Sequence, residues 1–253
     1  MNELVSMSAF TPALAWPDGA AHSSAPSTAS PRVPVVRPVR PGVLSVRTVA
    51  ATERAIRALD LTIAAGLLIL SLPLLVLIGF VIQVTSSGPI VFAHRRIGEG
   101  GRAFPCFKFR TMVTDADARL QTLLQSDPVA RDEWARTQKL RNDPRVTMVG
   151  LLLRRSSLDE LPQLINILRG DMSLVGPRPI VEAEISRYGR HFAQYCSVKP
   201  GVTGLWQVQR NADTSYRRRV AFDVAYTRSR SFWLNLKILA LTLPSVLRGK
   251  GAC

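Results

Sequence analysis

The stretch LTIAAGLLILSLPLLVLIGFVIQV, running from Leu61 to Val84, decides how this chain has to be read. Its 24 residues carry no formal charge. As an α-helix they extend about 36 Å at roughly 1.5 Å per residue, enough to cross a bilayer. Ser71-Leu72-Pro73 lies at the midpoint, and a proline there removes a backbone donor and crowds the carbonyl four residues earlier, bending or breaking the helix. Arg54 and Arg57 precede the segment, while His94, Arg95, Arg96, Arg102, Lys108 and Arg110 follow it. A single span should be basic on one side only. Basic flanks at both ends, joined by a central break, fit a helix that dips into one leaflet and returns. A straight span is the other reading open to these residues.

Upstream, from Thr11 to about Ala50, seven prolines (Pro12, Pro17, Pro26, Pro31, Pro34, Pro38, Pro41) interrupt every helical or strand period. Such a stretch buries too little apolar surface to offset its ordering entropy, so residues 1–50 are expected to be a disordered tail. No basic n-region with a compact apolar core marks a secretory signal near the N-terminus. Downstream, Ser86-Ser87-Gly88-Pro89 is a turn. Ile90-Val91-Phe92 and Phe104 to Phe109, joined through Gly98, Gly100 and Gly101, predict a short hairpin. Asp115 to Lys139 has a helical pattern split by Asp127-Pro128, Leu161 to Leu168 is a helix stopped by Gly170, and Val181 to Tyr195 is a further amphipathic helix. Phe232 to Leu247 spaces its aromatic and leucine residues as a helix does, compatible with a place in a headgroup region or in an ordinary core.

Lys and Arg outnumber Asp and Glu by 33 to 18, which calls for anionic partners. No recognisable nucleic-acid module or basic stripe with stacking aromatics accompanies that charge, so no nucleic-acid partner is expected. Cys106, Cys196 and Cys253 are odd in number, widely spaced and without a nearby histidine at ligand spacing. They are read as reduced thiols. There is no Walker loop, dinucleotide glycine fingerprint, nucleophile elbow or paired-cysteine zinc pattern, which removes most soluble enzyme classes.

The chemistry-bearing stretch is Arg154-Arg155-Ser156-Ser157-Leu158-Asp159-Glu160-Leu161-Pro162-Gln163-Leu164, followed by Gly170-Asp171-Met172-Ser173-Leu174-Val175-Gly176-Pro177-Arg178-Pro179. Ser157 and Glu160 have capping-box spacing, so the acids can be read as a helix start alone. With Asp159 as N-cap instead, Pro162 falls in the first turn, where donors are unpaired anyway. Helix dipole and nearby arginines would then favour the ionised carboxylate, the form needed to attack phosphorus or bind Mg²⁺. Lys108, Arg110, Arg154 and Arg178 are candidate cations for non-bridging phosphate oxygens.

Seven motifs in order carry a resemblance. They are the broken helix with Ser71-Leu72-Pro73, the Ser87-Gly88-Pro89-Ile90 exit, Lys108-Phe109-Arg110-Thr111-Met112, Asn142-Asp143-Pro144-Arg145-Val146-Thr147, and Ser157-Leu158-Asp159-Glu160-Leu161-Pro162-Gln163. Gly176-Pro177-Arg178-Pro179 follows, and then Lys199-Pro200-Gly201-Val202-Thr203-Gly204-Leu205-Trp206-Gln207-Val208. From about Arg54 onward the chain resembles the bacterial sugar transferases, the small monotopic polyprenyl-phosphate phosphoglycosyl transferases that start exopolysaccharide assembly. The resemblance implies that Asp159 is the nucleophile, attacking the sugar-bearing phosphorus of a UDP-sugar and expelling UMP. It further implies that Glu160 holds Mg²⁺, that Lys108, Arg110, Arg154 and Arg178 steady phosphates, and that undecaprenyl phosphate accepts the sugar phosphate. UDP-glucose and UDP-galactose are the leading donors. Met148 and Leu151 stand where relatives often carry basic residues, and Arg210-Asn211 replaces a common Gly-Arg. The expected nucleotide contact therefore passes to Arg210 through a shifted loop, or is made differently.

Residues and resemblance together predict an α+β, mostly helical protein. It comprises a tail over 1–50, a re-entrant membrane helix over 51–86, and a small cytoplasmic catalytic domain over 87–253 with a short hairpin and amphipathic interfacial helices. The expected location is the inner leaflet of the bacterial cytoplasmic membrane, among anionic lipids, with the catalytic domain on the cytoplasmic side.

Overall fold

The structure is a computed structural model that describes residues 46–137, 140–209 and 215–247. The expected tail lies, up to residue 45, outside the described residues. Helix α1, Val46–Thr85, starts before the boundary expected at residue 51 and continues through Pro73 without interruption of the helix. It is long and apolar enough to cross a membrane, and only 17% of its most apolar 18-residue window is buried. A core helix of a soluble protein would be mostly covered. Here Ile69, Leu70, Val76, Phe80 and Val84 are each more than 60% exposed, a continuous apolar face that suits hydrocarbon rather than water.

Both arms of α1 rest on the rest of the protein. In the first arm Ile56 is buried, and Arg57 donates to the Ile167 and Leu168 carbonyls at 2.7 and 3.0 Å. Asp60 accepts from Ser173 Oγ at 3.1 Å and from the Leu174 amide at 2.9 Å. These bonds give a buried carboxylate the partners it needs. In the second arm Ile78 and Ile82 pack with Phe109 and Leu153. Leu161 packs against both this cluster and the one that holds Ala64 of the first arm, so one body supports both.

After the turn come β1, Val91–Ile97, and β2, Ala103–Phe109, antiparallel with Val91 opposite Phe109 and Ile97 opposite Ala103. Gly100 and Gly101, both at positive φ, turn the connection. Helices α2, Ala116–Ser126, and α3, Pro128–Thr137, part at Asp127 as expected. Its side chain accepts from the Val129 and Ala130 amides and so caps α3. Next are α4, Met148–Arg155, and α5, Gln163–Arg169, the latter ended by Gly170 at φ +89°. Its carbonyls are the ones Arg57 reaches, a favourable place for a cation.

Strands β3, Ser173–Val175, and β4, Gly201–Thr203, form a parallel pair, with Ser173 opposite Gly201 and Val175 opposite Thr203. At Gly176 the two segments touch backbone to backbone, and a Cβ there would lie 2.4 Å from the Lys199 carbonyl oxygen and 2.7 Å from the Gly201 nitrogen. Only glycine permits that approach, which brings the Pro177-Arg178-Pro179 segment beside β4.

The single helix expected over Val181 to Tyr195 is not continuous. It breaks into a 3₁₀ turn at Glu182–Glu184, α6 at Ile185–Tyr188, a second 3₁₀ turn at Gly189–His191, and α7 at Phe192–Tyr195. Gly189, at φ +49°, is the weak point, since glycine readily leaves helical backbone. Tyr188, Phe192 and Tyr195 still enter one cluster with Ile97, Ile180, Val220 and Val224. The chain closes with α8, Leu205–Gln209, α9, Tyr216–Ser229, and α10, Phe232–Leu247. In helix α10 Ile238 is buried in the core while Trp233, Leu236 and Leu241 face outward. The hairpin and the helical majority agree with an α+β, mostly helical protein. The buried Cys106 and Cys196 are free thiols.

Candidate active site

Three segments converge on one cleft. The first is β2, whose Lys108 points toward the chain between α4 and α5. The second is that chain itself, where Leu158–Glu160 forms a 3₁₀ turn. The third is the Arg178 segment that follows β3. Ser157 enters the turn at φ +57°, the one non-glycine residue at positive φ among the described residues. Strain of this kind, of order 1–3 kcal/mol, collects at functional sites. Pro162, rather than Asp159, is the N-cap of α5. The difference from the expected cap follows from Ser157, whose backbone reverses the chain two residues before Asp159 and leaves Asp159 in a tight turn.

Lys108 is the centre of the cluster. Its Nζ lies 2.6 Å from Glu160 Oε1 and 3.8 Å from Asp159 Oδ2. The cleft is lined by Arg96, Cys106, Lys108, Glu160, Gln163 and Arg178, with Pro179, Gly201, Val202 and Gln207 completing it. The two carboxyls respond in opposite directions. Burial pushes Asp159 above its ordinary value and Glu160 adds to the rise, against the pull of Lys108 and Arg154. Burial also acts upward on Glu160, but Lys108, Arg178 and Arg96 together hold it below the usual carboxylate range. The expectation that neighbouring cations keep the pair ionised therefore describes Glu160. Asp159 is pushed toward its neutral form because burial outweighs its cations.

The Asn142 to Thr147 motif is a clamp behind the site. Arg145 forks onto Asp143 at 2.8 and 2.7 Å and lies 5.0 Å over the Trp134 ring, a bidentate pair of the strong kind. Thr147 accepts from the Gly150 amide and caps α4. At Gly150 a Cβ would lie 2.0 Å from the Thr111 carbonyl oxygen, so α4 sits directly on the chain that leaves β2. Arg154, at the end of α4, donates through Nε to Thr111 Oγ1 at 2.9 Å and acts on Asp159 through its charge.

Of the expected cations, Lys108 and Arg178 line the cleft and Arg154 stands behind Asp159. Arg110 goes elsewhere. It donates to the Pro89 carbonyl and, at 2.8 Å each, to the carbonyl and hydroxyl of Ser86, fastening the exit of α1. Lys108 and Arg110 are two residues apart and would share a face in a continuing strand, but β2 ends at Phe109. Arg210 lies outside the described residues. Arg96, Cys106, Gln163 and Gln207 were not expected as site residues from sequence. A strand-period signal was present for Arg96, since it shares a hairpin face with His94, Cys106 and Lys108.

Among the described residues no group of three or more His, Cys, Asp or Glu side chains could by itself hold a metal. Adjacent Asp159 and Glu160 nonetheless suit Mg²⁺, which keeps several waters and commonly takes one or two carboxylates plus substrate phosphates. One Glu160 oxygen, Oε1, is engaged by Lys108 at 2.6 Å.

Comparison with known proteins shows the family of the chain. The chain is 47% identical over 197 residues to the undecaprenyl-phosphate galactose phosphotransferase of Salmonella typhimurium, covering 78% of this chain and 41% of that protein. It is 45% identical over 196 residues to the exopolysaccharide production protein ExoY of Rhizobium meliloti, covering 78% of this chain and 87% of that one. It is 38% identical over 195 residues to the UDP-glucose:undecaprenyl-phosphate glucose-1-phosphate transferase of Escherichia coli, covering 74% and 39%. The chain thus spans about two fifths of the length of the two named phosphotransferases. The family described as bacterial sugar transferase matches residues 51–249, which includes the apolar helix, the clamp, both carboxylates and the cations of the cleft. By that match and these identities, the chain belongs to the bacterial sugar transferase family.

Proposed function

We propose that this chain transfers hexose-1-phosphate from a UDP-sugar to undecaprenyl phosphate, giving undecaprenyl-diphosphate-sugar and UMP, as the first membrane step of exopolysaccharide biosynthesis. The observation that carries this reading is Lys108 set between Asp159 and Glu160 at 3.8 and 2.6 Å, in a cleft whose other cations are Arg96 and Arg178. That is an arrangement for a phosphate ester beside a nucleophilic carboxylate. The names of the relatives, which pair undecaprenyl phosphate with galactose or glucose, support hexose donors.

In the first step an Asp159 oxygen attacks the sugar-bearing phosphorus, and the bond from that phosphorus to the bridging oxygen breaks. UMP departs with the electron pair, leaving the sugar phosphate esterified to the carboxylate. In the second step an oxygen of undecaprenyl phosphate attacks the same phosphorus, and the aspartyl oxygen leaves as the carboxylate. Lys108 and Arg178 offset charge on the non-bridging oxygens, and Arg154 favours ionised Asp159. Glu160, with Asp159 beside it, is the residue to hold Mg²⁺, which when bound supplies a Lewis acid to phosphate oxygen. Arg110 acts at one remove, through the helix exit. Arg210 is assigned to the nucleotide side.

The same proposal places α1 as a re-entrant helix in the inner leaflet of the cytoplasmic membrane, with the catalytic body on the cytoplasmic side among anionic lipids. Support comes from the two arms, Arg57 with Asp60 and Ile78 with Ile82, which bond or pack to one body, while the outward side chains between them are apolar and exposed. Membranes carrying the full chain, given Mg²⁺, undecaprenyl phosphate and a panel of UDP-sugars, are expected to release UMP with UDP-glucose or UDP-galactose. No UMP from any donor would contradict the assignment.

A further inference from the structure

Arg96 is a mostly buried guanidinium with an unusual set of holders. Its Nη1 donates to the Pro179 carbonyl at 3.3 Å and lies 3.8 Å from Glu184. Its Nη2 is 3.1 Å from His94 Nδ1. Arginine has no acceptor, so His94 must accept through an unprotonated Nδ1 and carry its proton on Nε2. Burial first, then Arg96 and Lys108, lower His94 to about 4, which keeps the ring neutral and able to accept at neutral pH. A guanidinium gripped from three directions is fixed in orientation, and it borders the same cleft as Lys108 and Arg178.

Hairpin register locates it within that cleft. His94 stands opposite Cys106 and Arg96 opposite Phe104, while Lys108 stands opposite Phe92. Residues directly opposite in an antiparallel pair share a face, as do residues two apart. Lys108, Cys106, His94 and Arg96 therefore lie on one face, with Arg96 four positions along the hairpin from Lys108, about 13 Å between their levels at roughly 3.3 Å per residue. Lys108 is the cation beside the Asp159 nucleophile, and the backbone gap is closed at the charged ends, since both Lys108 and Arg96 act on the Glu160 carboxylate while Arg178 acts on Arg96. Lys108, Arg96 and Arg178 border the cleft, Lys108 partnered by Asp159 and Glu160 and Arg96 by Glu184. A phosphate entering beside Arg96 and Arg178 would add charge-assisted hydrogen bonds of the strong kind.

Resting on the transfer reading above, we propose that Arg96 is a binding residue for the phosphate of the departing nucleoside monophosphate, with His94 as the positioning residue that aims its guanidinium. Lys108 then serves the phosphorus under attack and Arg96 the phosphate that leaves.

The test uses the full chain in membranes, with UMP as the probe. UMP inhibition and the kcat and KM for the UDP-sugar are measured for Arg96→Ala, His94→Leu and His94→Gln, together with thermal unfolding. Arg96→Ala is expected to weaken UMP inhibition by about 10-fold or more, the scale of a charge-assisted hydrogen bond lost, with kcat falling too and KM for undecaprenyl phosphate unchanged. His94→Leu should weaken UMP inhibition about 3-fold or more, and His94→Gln, whose amide oxygen can accept, should restore it. Wild-type UMP inhibition in a folded Arg96→Ala protein would overturn the proposal. If that variant does not fold, equal UMP inhibition in wild type, His94→Leu and His94→Gln overturns it. Failure of the wild-type chain to release UMP from any donor would instead sink the transfer reading, so the two failures are distinct.

Discussion

Asp159→Asn is expected to lower sugar-phosphate transfer by at least about 10³-fold, because a neutral amide cannot form the ester on which the first step depends. The substitution is nearly isosteric, and the Lys108–Glu160 pair at 2.6 Å remains to hold the cleft. The direction of the Asp159 shift supplies a second readout. Burial raises its folded-state pKa above the ordinary value, so the ionised group is better solvated in the unfolded chain. Stability therefore falls as pH rises through the unfolded and then the folded pKa, and stays lower above both. At neutral pH the amide removes that penalty. The variant should unfold at the same temperature as the wild type or higher, a trade of stability against activity that marks a site kept for chemistry. UMP release assays paired with thermal unfolding in membranes check both halves. Undiminished turnover would refute the nucleophile, and a large drop in unfolding temperature would show that Asp159 is chiefly structural.

Lys108→Ala should be almost as damaging, with kcat/KM down by roughly 10²–10³-fold, the usual scale for losing a preorganised cation or donor at a reacting centre. It also makes a prediction about pH. Lys108 is the largest opposing influence on the raised Asp159 and the chief reason Glu160 is depressed. Without the ammonium both carboxyls move upward. The attacking form of Asp159 is the ionised one, so the acid limb of the rate profile should shift to higher pH, and activity should recover in part as pH rises. Lys108→Arg keeps the charge and should leave that limb near its wild-type position. An acid limb that does not move in Lys108→Ala would contradict the electrostatic assignment.

What could be read from sequence was whatever rested on local signals. Asp127-Pro128 splits a helix because the aspartate caps what the proline begins, and Gly170 ends α5 in left-handed backbone. The glycine-rich link between Val91–Ile97 and Ala103–Phe109 makes the hairpin. Features fixed by distant contacts were not legible. Strands β3 and β4 are three residues each and pair only because Gly176 and Gly201 let the two chains touch. Helix α9 carries Arg217-Arg218-Arg219 and Asp223, so its pattern is obscured. Yet Arg219 and Asp223 are buried, the latter accepting from Tyr188 Oη at 2.7 Å and lying 4.0 Å from Arg219. The adjacent carboxylates and Lys108 stood out as short motifs, with Glu160 and Lys108 lining the cleft and Asp159 buried beside them. The different roles of Lys108 and Arg110 depended on where β2 stops, and the place of Arg96 depended on hairpin register.

The most direct measurement supplies the active full-length chain with a UDP-sugar labelled in the sugar-bearing phosphate, omits the lipid acceptor, quenches in acid and maps the label by peptide mass spectrometry. The account predicts label on Asp159 in step with the UMP released, and its loss when undecaprenyl phosphate is added before the quench. An active preparation that never carries label at Asp159, or that releases UMP only when the lipid is present, would contradict it.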